Sequence, residues 1–374
     1  MLTLLDPAEY DRAQPLFALL DDHLITQAVR AGSLPGRVLV DDAANPRCLL
    51  VQAGYRLYLA GDARQADVAA GLRRFLVEEL YPQALAERQK DFVLAYEPDA
   101  WAPVIETSLA GKNPAAIQRH YYRRNLPAAE PPPPALAGFS LRSVEAVLLA
   151  DERLQNLEAL EAEVLSESPS VTHFLLGRFG VCALAGDAIV AWCLSEHNTG
   201  DRCEVGLETL PAYQRRGLAT WMARALTAEA AARGLRTAGW HCYATNAASV
   251  ATALKAGFEK VREYPAYYAW FEEVANLAVN GNVHFQSQRY AEALRWYERA
   301  LQTGEAPLWA YVNAACAAAR TGDSAAAFAY LDQAVAQGFT DVAQLRASTS
   351  LQGLHDRPEW SQLLDRLAPP QAAA

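Results

Sequence analysis

The stretch with the most chemistry in it runs Cys203-Glu-Val-Gly-Leu-Glu-Thr-Leu-Pro-Ala-Tyr-Gln-Arg-Arg-Gly-Leu-Ala219. Residues 204–210 read as a strand that delivers the chain to a Gln-Arg-Arg-Gly-Leu-Ala turn, and an Ala- and Arg-rich helix over 217–232 follows. The first turn of a helix carries unpaired N–H donors and the positive end of the peptide dipole, so such a turn suits a pyrophosphate. Gly217 would let the backbone approach that ligand closely. No Gly-Lys-Ser/Thr follows, so Mg-nucleotide hydrolysis is not indicated. A second block reads Trp240-His-Cys-Tyr-Ala-Thr-Asn246-Ala-Ala-Ser249 and continues to Lys255-Ala-Gly257-Phe258. Asn246 stands where an N-cap opens a helix over 247–256, which Gly257 ends.

The elements that must hold these blocks follow the punctuation of the chain. The Pro-rich segment 127–137 reads as a semi-rigid linker between residues 1–126 and 138–273. Before it, short apolar runs at 37–42, 47–52 and 55–60 predict an antiparallel meander, a helix over 68–80, a strand at 92–96 and a helix beginning near Pro98. After it, the pattern predicts a helix over 144–165, strands at 177–185 and 188–195 joined by Gly186-Asp187, and the 204–210 strand. A strand at 237–243 and two more at 258–264 and 267–271 complete this part. The order of elements in the first half is similar to that in the second. Its counterpart of the phosphate turn, residues 61–67, lacks the Gln-x-x-Gly spacing.

Residues 274–374 contain a repeat: Ala293, Tyr297 and Ala300 recur as Ala327, Leu331 and Ala334, and Gly281 recurs as Ala315, each 34 residues on. That period, with small residues where helices cross, is the signature of tetratricopeptide (TPR) repeats. A degenerate third unit is expected over 341–367.

Composition narrows the function classes. The chain is 374 residues long, 52% hydrophobic and 20% charged, with net charge −10. Acid exceeds base, which argues against nucleic acid and anionic membranes as partners and favours a cationic one. The basic-aromatic patch 119–124 reads as a packing strand or helix. No apolar run reaches the roughly 18–20 residues of a membrane span, and Asp6 interrupts the N-terminus before a signal-peptide core can form. The six cysteines are scattered and the histidines lack HxH or HxxxH spacing, which predicts reduced thiols in a cytoplasmic protein and no metal. The Arg-heavy, Ala-rich composition suits a bacterial source.

Together the two blocks resemble the GNAT superfamily of acetyl-CoA-dependent N-acetyltransferases. Gln214, Gly217 and Ala219 match the superfamily's phosphate loop, and Asn246 followed by Gly257-Phe258 matches its second block. The W-x-C…N-x-x-S…GF form is similar to the subgroup that includes zwittermicin-resistance-type acetyltransferases. The resemblance implies a mixed, mostly antiparallel α+β sheet flanked by helices over 138–273, a degenerate GNAT-like α+β half before it, and the all-α TPR-like module after it. It implies pyrophosphate on the N–H groups of Arg215, Arg216, Gly217, Leu218, Ala219 and Thr220, and pantetheine on the backbone of Leu207 and Thr209 and on Asn246. Glu204 and His241 stand where relatives hold a base. The usual acid tyrosine position is Ala253 here, leaving Tyr264, Tyr267 or Tyr268 for the leaving thiolate, of which Tyr267 is the expected acid. Cys242 reads as packed. The implied reaction is direct acetyl transfer to a primary amine of a small cationic molecule. A protein amine held by the TPR-like module, or a non-catalytic acyl-CoA-binding scaffold, is the alternative.

Overall fold

The computed structural model describes residues 2–65 and 67–367; Ala66, in the 61–67 turn compared above, lies outside them. The described residues form two units, one of residues 1–72, 93–105 and 117–266, the other of residues 73–92, 106–116 and 267–374.

The strands of the sheet, in chain order, are β1 (Thr3–Leu4), β2 (Arg37–Val40), β3 (Cys48–Ala53), β4 (Arg56–Gly61), β5 (Asp91–Glu97) and β6 (Ala115–Asn125). They continue with β7 (Ser140–Ser143), β8 (Gly180–Ala185), β9 (Ala188–Thr199), β10 (Arg202–Thr209), β11 (Thr237–Tyr243) and β12 (Glu259–Trp270). The spatial order is β1-β2-β3-β4-β5-β12-β6-β11-β10-β9-β8-β7. Each half contributes a run of antiparallel strands and then a fifth strand parallel to the fourth, β4 with β5 and β10 with β11. The sixth strands are exchanged: β6 lies against β11 of the other half, and β12 against β5. The patch 119–124 lies in the C-terminal part of β6, so its basic and aromatic residues belong to a central strand.

Two expectations change. The helix predicted over 144–165 is two helices, Ala146–Leu149 and Leu157–Glu167, because Gln155 between them bridges to Ala188 at the start of β9. The strands predicted at 258–264 and 267–271 are one, β12, running through Pro265 despite its missing N–H.

One face of β8–β11 packs on the helix Leu218–Ala232, with Cys203, Val205, Met222 and Leu226 in a shared apolar core. The opposite face carries Trp192 and Leu194 under Leu160 and Val164 of the helix Leu157–Glu167. The helix Leu24–Arg30 also packs on β9 and β10, and its residues 24–29 are all buried.

In the second unit, the helices Glu273–Gln286, Tyr290–Leu301, Leu308–Arg320 and Ser324–Ala336 pack in succession. The repeated positions 293, 297 and 300 and their counterparts 327, 331 and 334 are all buried. Gly281 lies flat against the Tyr297 ring, where a Cβ would collide. Among the described residues no helix is long and apolar enough to cross a membrane.

Candidate active site

Strands β10 and β11 are paired from Arg202↔Thr237 to Glu204↔Gly239 and no further. Beyond that point β10 continues to Thr209 on its other side, against β9, so its edge toward β11 has no ladder partner from Val205 onward. In the first half, β4 and β5 stay paired from Arg56↔Val93 through Ala60↔Glu97, so the equivalent gap is closed. At the open end of β10, the chain turns through Pro211–Tyr213 into the helix Leu218–Ala232. Arg215 (φ 61°) and Gly217 (φ 85°) take left-handed conformations, and such alternation points successive N–H groups into one concavity that suits an anion. A Cβ on Gly217 would meet nothing within 4 Å, so glycine is needed here for its φ and not for space. The Gln214 amide closes the turn by donating to the Thr209 carbonyl at 3.1 Å, and the Arg216 guanidinium sits 5.1 Å over the Tyr213 ring. The Thr209 hydroxyl is buried without a partner.

Glu204 stands at the vertex of this opening and is buried. Its Oε1 accepts the Leu24 N–H at 2.7 Å and lies 3.5 Å from His241 Nε2. His241 Nε2 is 3.0 Å from the Asp22 carbonyl, which can only accept, so that nitrogen carries a proton. In the neutral ring Nδ1 then accepts from the Tyr264 hydroxyl at 2.9 Å. The imidazole is stacked between His23, at 4.9 Å, and Tyr121, at 4.7 Å. Burial alone would push the Glu204 carboxyl up, but His241, His197 and the Leu24 N–H outweigh it and hold it down to about 2. A carboxyl held so low is a weak proton acceptor at neutral pH. A carboxylate so held suits a fixed negative charge beside His241. Burial, with the Glu204 charge adding to it, raises the Tyr264 phenol and keeps it protonated.

A second group of ionisable side chains adjoins the vertex. Glu196 is the cross-strand partner of Glu204 and folds its carboxylate over Gly206, in the place a Cβ would fill. Glu167, at the end of its helix, pairs with Arg56. Next to it His197 is 1% exposed, in a left-handed conformation (φ 49°), with neither ring nitrogen hydrogen-bonded.

The sequence profile of the GNAT acetyltransferase family matches residues 14–267. The chain is a GNAT acetyltransferase. It is therefore an acyltransferase, in a family that uses acetyl-CoA as co-substrate. It is 26% identical over 244 residues to an uncharacterised N-acetyltransferase, YdfB, of Bacillus subtilis, covering 63% of this chain and 87% of the relative. A GCN5-related N-acetyltransferase-like protein from Streptococcus suis shares the fold at TM-score 0.50 and 19% identity, over 70% of this chain and 99% of that one. A GCN5-related N-acetyltransferase from Sphaerobacter thermophilus aligns at TM-score 0.48 and 13% identity, over 72% and 95%.

Within this acetyltransferase, Leu207, Thr209 and residues 214–220 lie along the open edge and the turn that ends it. Asn246 caps the helix Ala247–Lys255 by accepting the Ser249 N–H at 3.0 Å. Ala253 is buried in the core, which leaves no room for a tyrosine. Tyr267 belongs to the second unit, where its hydroxyl donates to Glu106 at 2.7 Å. The phenol hydroxyl that donates to His241 is that of Tyr264. Cys242 is buried with its thiol pushed up by burial, which makes it a packed side chain and not a nucleophile. Sequence reasoning missed His23, Glu167, Glu196 and His197. Of these, only the Glu196-His197 pair was visible as polar residues ending an apolar strand.

Proposed function

We propose that this enzyme transfers the acetyl group of acetyl-CoA directly to a primary amine of a small cationic molecule. The observation that carries the reading is the parting of β10 from β11 after Glu204 and Gly239, with the left-handed turn at its end. The free N–H groups of residues 215–220 fit a pyrophosphate, and the open β10 edge near Leu207 and Thr209, with the orphan Thr209 hydroxyl, fits an amide-bearing arm. Bound there, acetyl-CoA supplies an activated thioester. A backbone N–H near Leu207 would donate to its carbonyl oxygen as charge develops. The amine nitrogen forms the new C–N bond as the C–S bond breaks and the electron pair leaves on sulfur. The Asp22 carbonyl holds His241 in one tautomer, and the Glu204 charge lies beside it. Tyr264, in place of Tyr267, would give its proton to the leaving thiolate and take in its place the proton that the acylated amine gives up, while His241 Nδ1 holds its hydroxyl in position. Asn246 both caps its helix and contacts the arm.

The acidic face around Glu196 and Glu204 supports a cationic acceptor, and the likeness to zwittermicin-resistance-type enzymes supports a small amino-bearing one. We also read the 34-residue period of the C-terminal helices as TPR-like. The test is calorimetric titration with acetyl-CoA and CoA, repeated with Gly217→Glu, followed by an amine panel scored by thiol release. Micromolar binding lost in the variant is expected. Absence of binding to the unaltered protein would overturn the reading.

A further inference from the structure

Glu167, Glu196 and His197 each offer one ligand atom, and these atoms lie within 4.8 Å of one another. Any three points that close share a centre no farther than 4.8/√3, about 2.8 Å, from each, which is the length of a charge-assisted N–H···O bond. An alkylammonium has three donors for three such acceptors. His197 can serve as the third because neither ring nitrogen is hydrogen-bonded, so nothing fixes its tautomer and the lone pair can sit on the nitrogen that faces the two carboxylates. The carboxylates keep partial exposure while His197 has almost none, so a ligand would arrive from the carboxylate side. Gly206 makes room for the arrangement, since a side chain there would displace the Glu196 carboxylate.

Charge points the same way. Glu163, Glu204 and Glu208 add to Glu167 and Glu196, against the guanidinium groups of Arg56 and Arg178. Burial, and after it the neighbouring Glu167, push Glu196 well above the usual carboxyl range, the mark of a site short of positive charge. Arg56 already holds the other oxygen of Glu167, which suits a monocation better than a divalent metal. This position cannot hold the attacking amine. A nitrogen between two carboxylates stays protonated and has no lone pair to attack with.

We propose that Glu167, Glu196 and His197 seat a second ammonium group of the acceptor, so that the preferred substrates are diamines or polyamines and not monoamines. This rests on the amine-acetylation reading above. The full-length enzyme, saturated with acetyl-CoA, is assayed with putrescine and with butylamine, and putrescine binding is followed by calorimetry. The kcat/KM for putrescine should exceed that for butylamine by at least about tenfold. That ratio should collapse in Glu196→Gln and in Gly206→Ala, with acetyl-CoA affinity retained. Equal kcat/KM for the two amines overturns the seat and leaves acetyl transfer standing. Putrescine binding that is lost in Glu196→Gln, with neither amine acetylated, upholds the seat and overturns the transfer reading. No putrescine binding overturns the seat, and stoichiometric zinc or manganese binding in its place would make the group a metal centre.

Discussion

The His197 imidazole is buried with no hydrogen bond at either nitrogen, and burial favours its neutral form although Glu167 Oε2 lies 3.5 Å from Nε2. Burial drives it down to about 3, with Arg56 and Arg178 adding to the effect against the pull of Glu204. Its folded value lies below its unfolded one, so the unfolded chain binds the extra proton between about pH 6.5 and about pH 3. Stability from this group is complete above pH 6.5 and is lost as pH falls through that window. In His197→Asn the drop should be missing. The difference in unfolding free energy between wild type and variant should shift by about 1.4 kcal/mol per pH unit below 6.5, read by urea denaturation from pH 7 to 5. A constant difference would mean that His197 is not held neutral. The two tyrosines provide a second residue-scale test. Tyr264→Phe should lower kcat by roughly 10²-fold while acetyl-CoA affinity holds, whereas Tyr267→Phe, which removes a bond to Glu106, should affect stability alone. Equal losses of kcat in both variants would remove Tyr264 from the proposed proton path. Glu204 and His241 were legible because they sit inside a motif. Glu196 was not, since its place beside Glu204 exists only once β9 and β10 are in register.

At the scale of elements, the turn before the helix Leu218–Ala232 was legible residue by residue, but its reason was not. Gly217 stands in open space, and what forbids a side chain is its φ of 85°. Gly217→Ala should therefore cost about 1–2 kcal/mol in stability and weaken acetyl-CoA binding through a shifted turn, without any clash. Thermal denaturation and calorimetry on the same variant would check both, and an alanine variant as stable as wild type would contradict the strain argument. The gap beside β10 was expected from resemblance alone, because nothing in the residues of either strand says where pairing stops. The contrast with β4 and β5, which stay paired over five residues, gives a physical reason why the first half would not hold an extended arm. The split helix near Gln155 was hidden for a related cause. Its periodicity is helical throughout, and only a bridge to Ala188 interrupts it.

At the scale of the molecule, the Pro-rich segment suggested a boundary that the sheet does not observe. The exchange of β6 and β12 puts one strand of each half inside the other, and the 34-residue period shared by the later helices gave no hint of what accompanies them. Those helices share their unit with residues 73–92 and 106–116. Asn276, 2% exposed, donates to the carbonyls of Lys112 and Asn113 at 2.9 Å each and accepts the Trp270 N–H at 2.8 Å. Asn280 donates to the Asn113 carbonyl at 2.9 Å and to that of Asn276 at 3.0 Å. Removing the first amide strands the Lys112 carbonyl and the Trp270 N–H. Removing the second leaves the Asn113 carbonyl still served by Asn276. Asn276→Ala should thus destabilise this unit by about 2–4 kcal/mol and Asn280→Ala by about 1 kcal/mol, read as the shift of its denaturant midpoint. The order matters more than the size. If Asn280→Ala proved the costlier, the link from Asn276 to residues 112 and 113 would not be what binds the repeat helices into this unit. A chain ended at residue 272 could then keep its cooperative melting, an outcome that the pairing of Asn276 otherwise forbids.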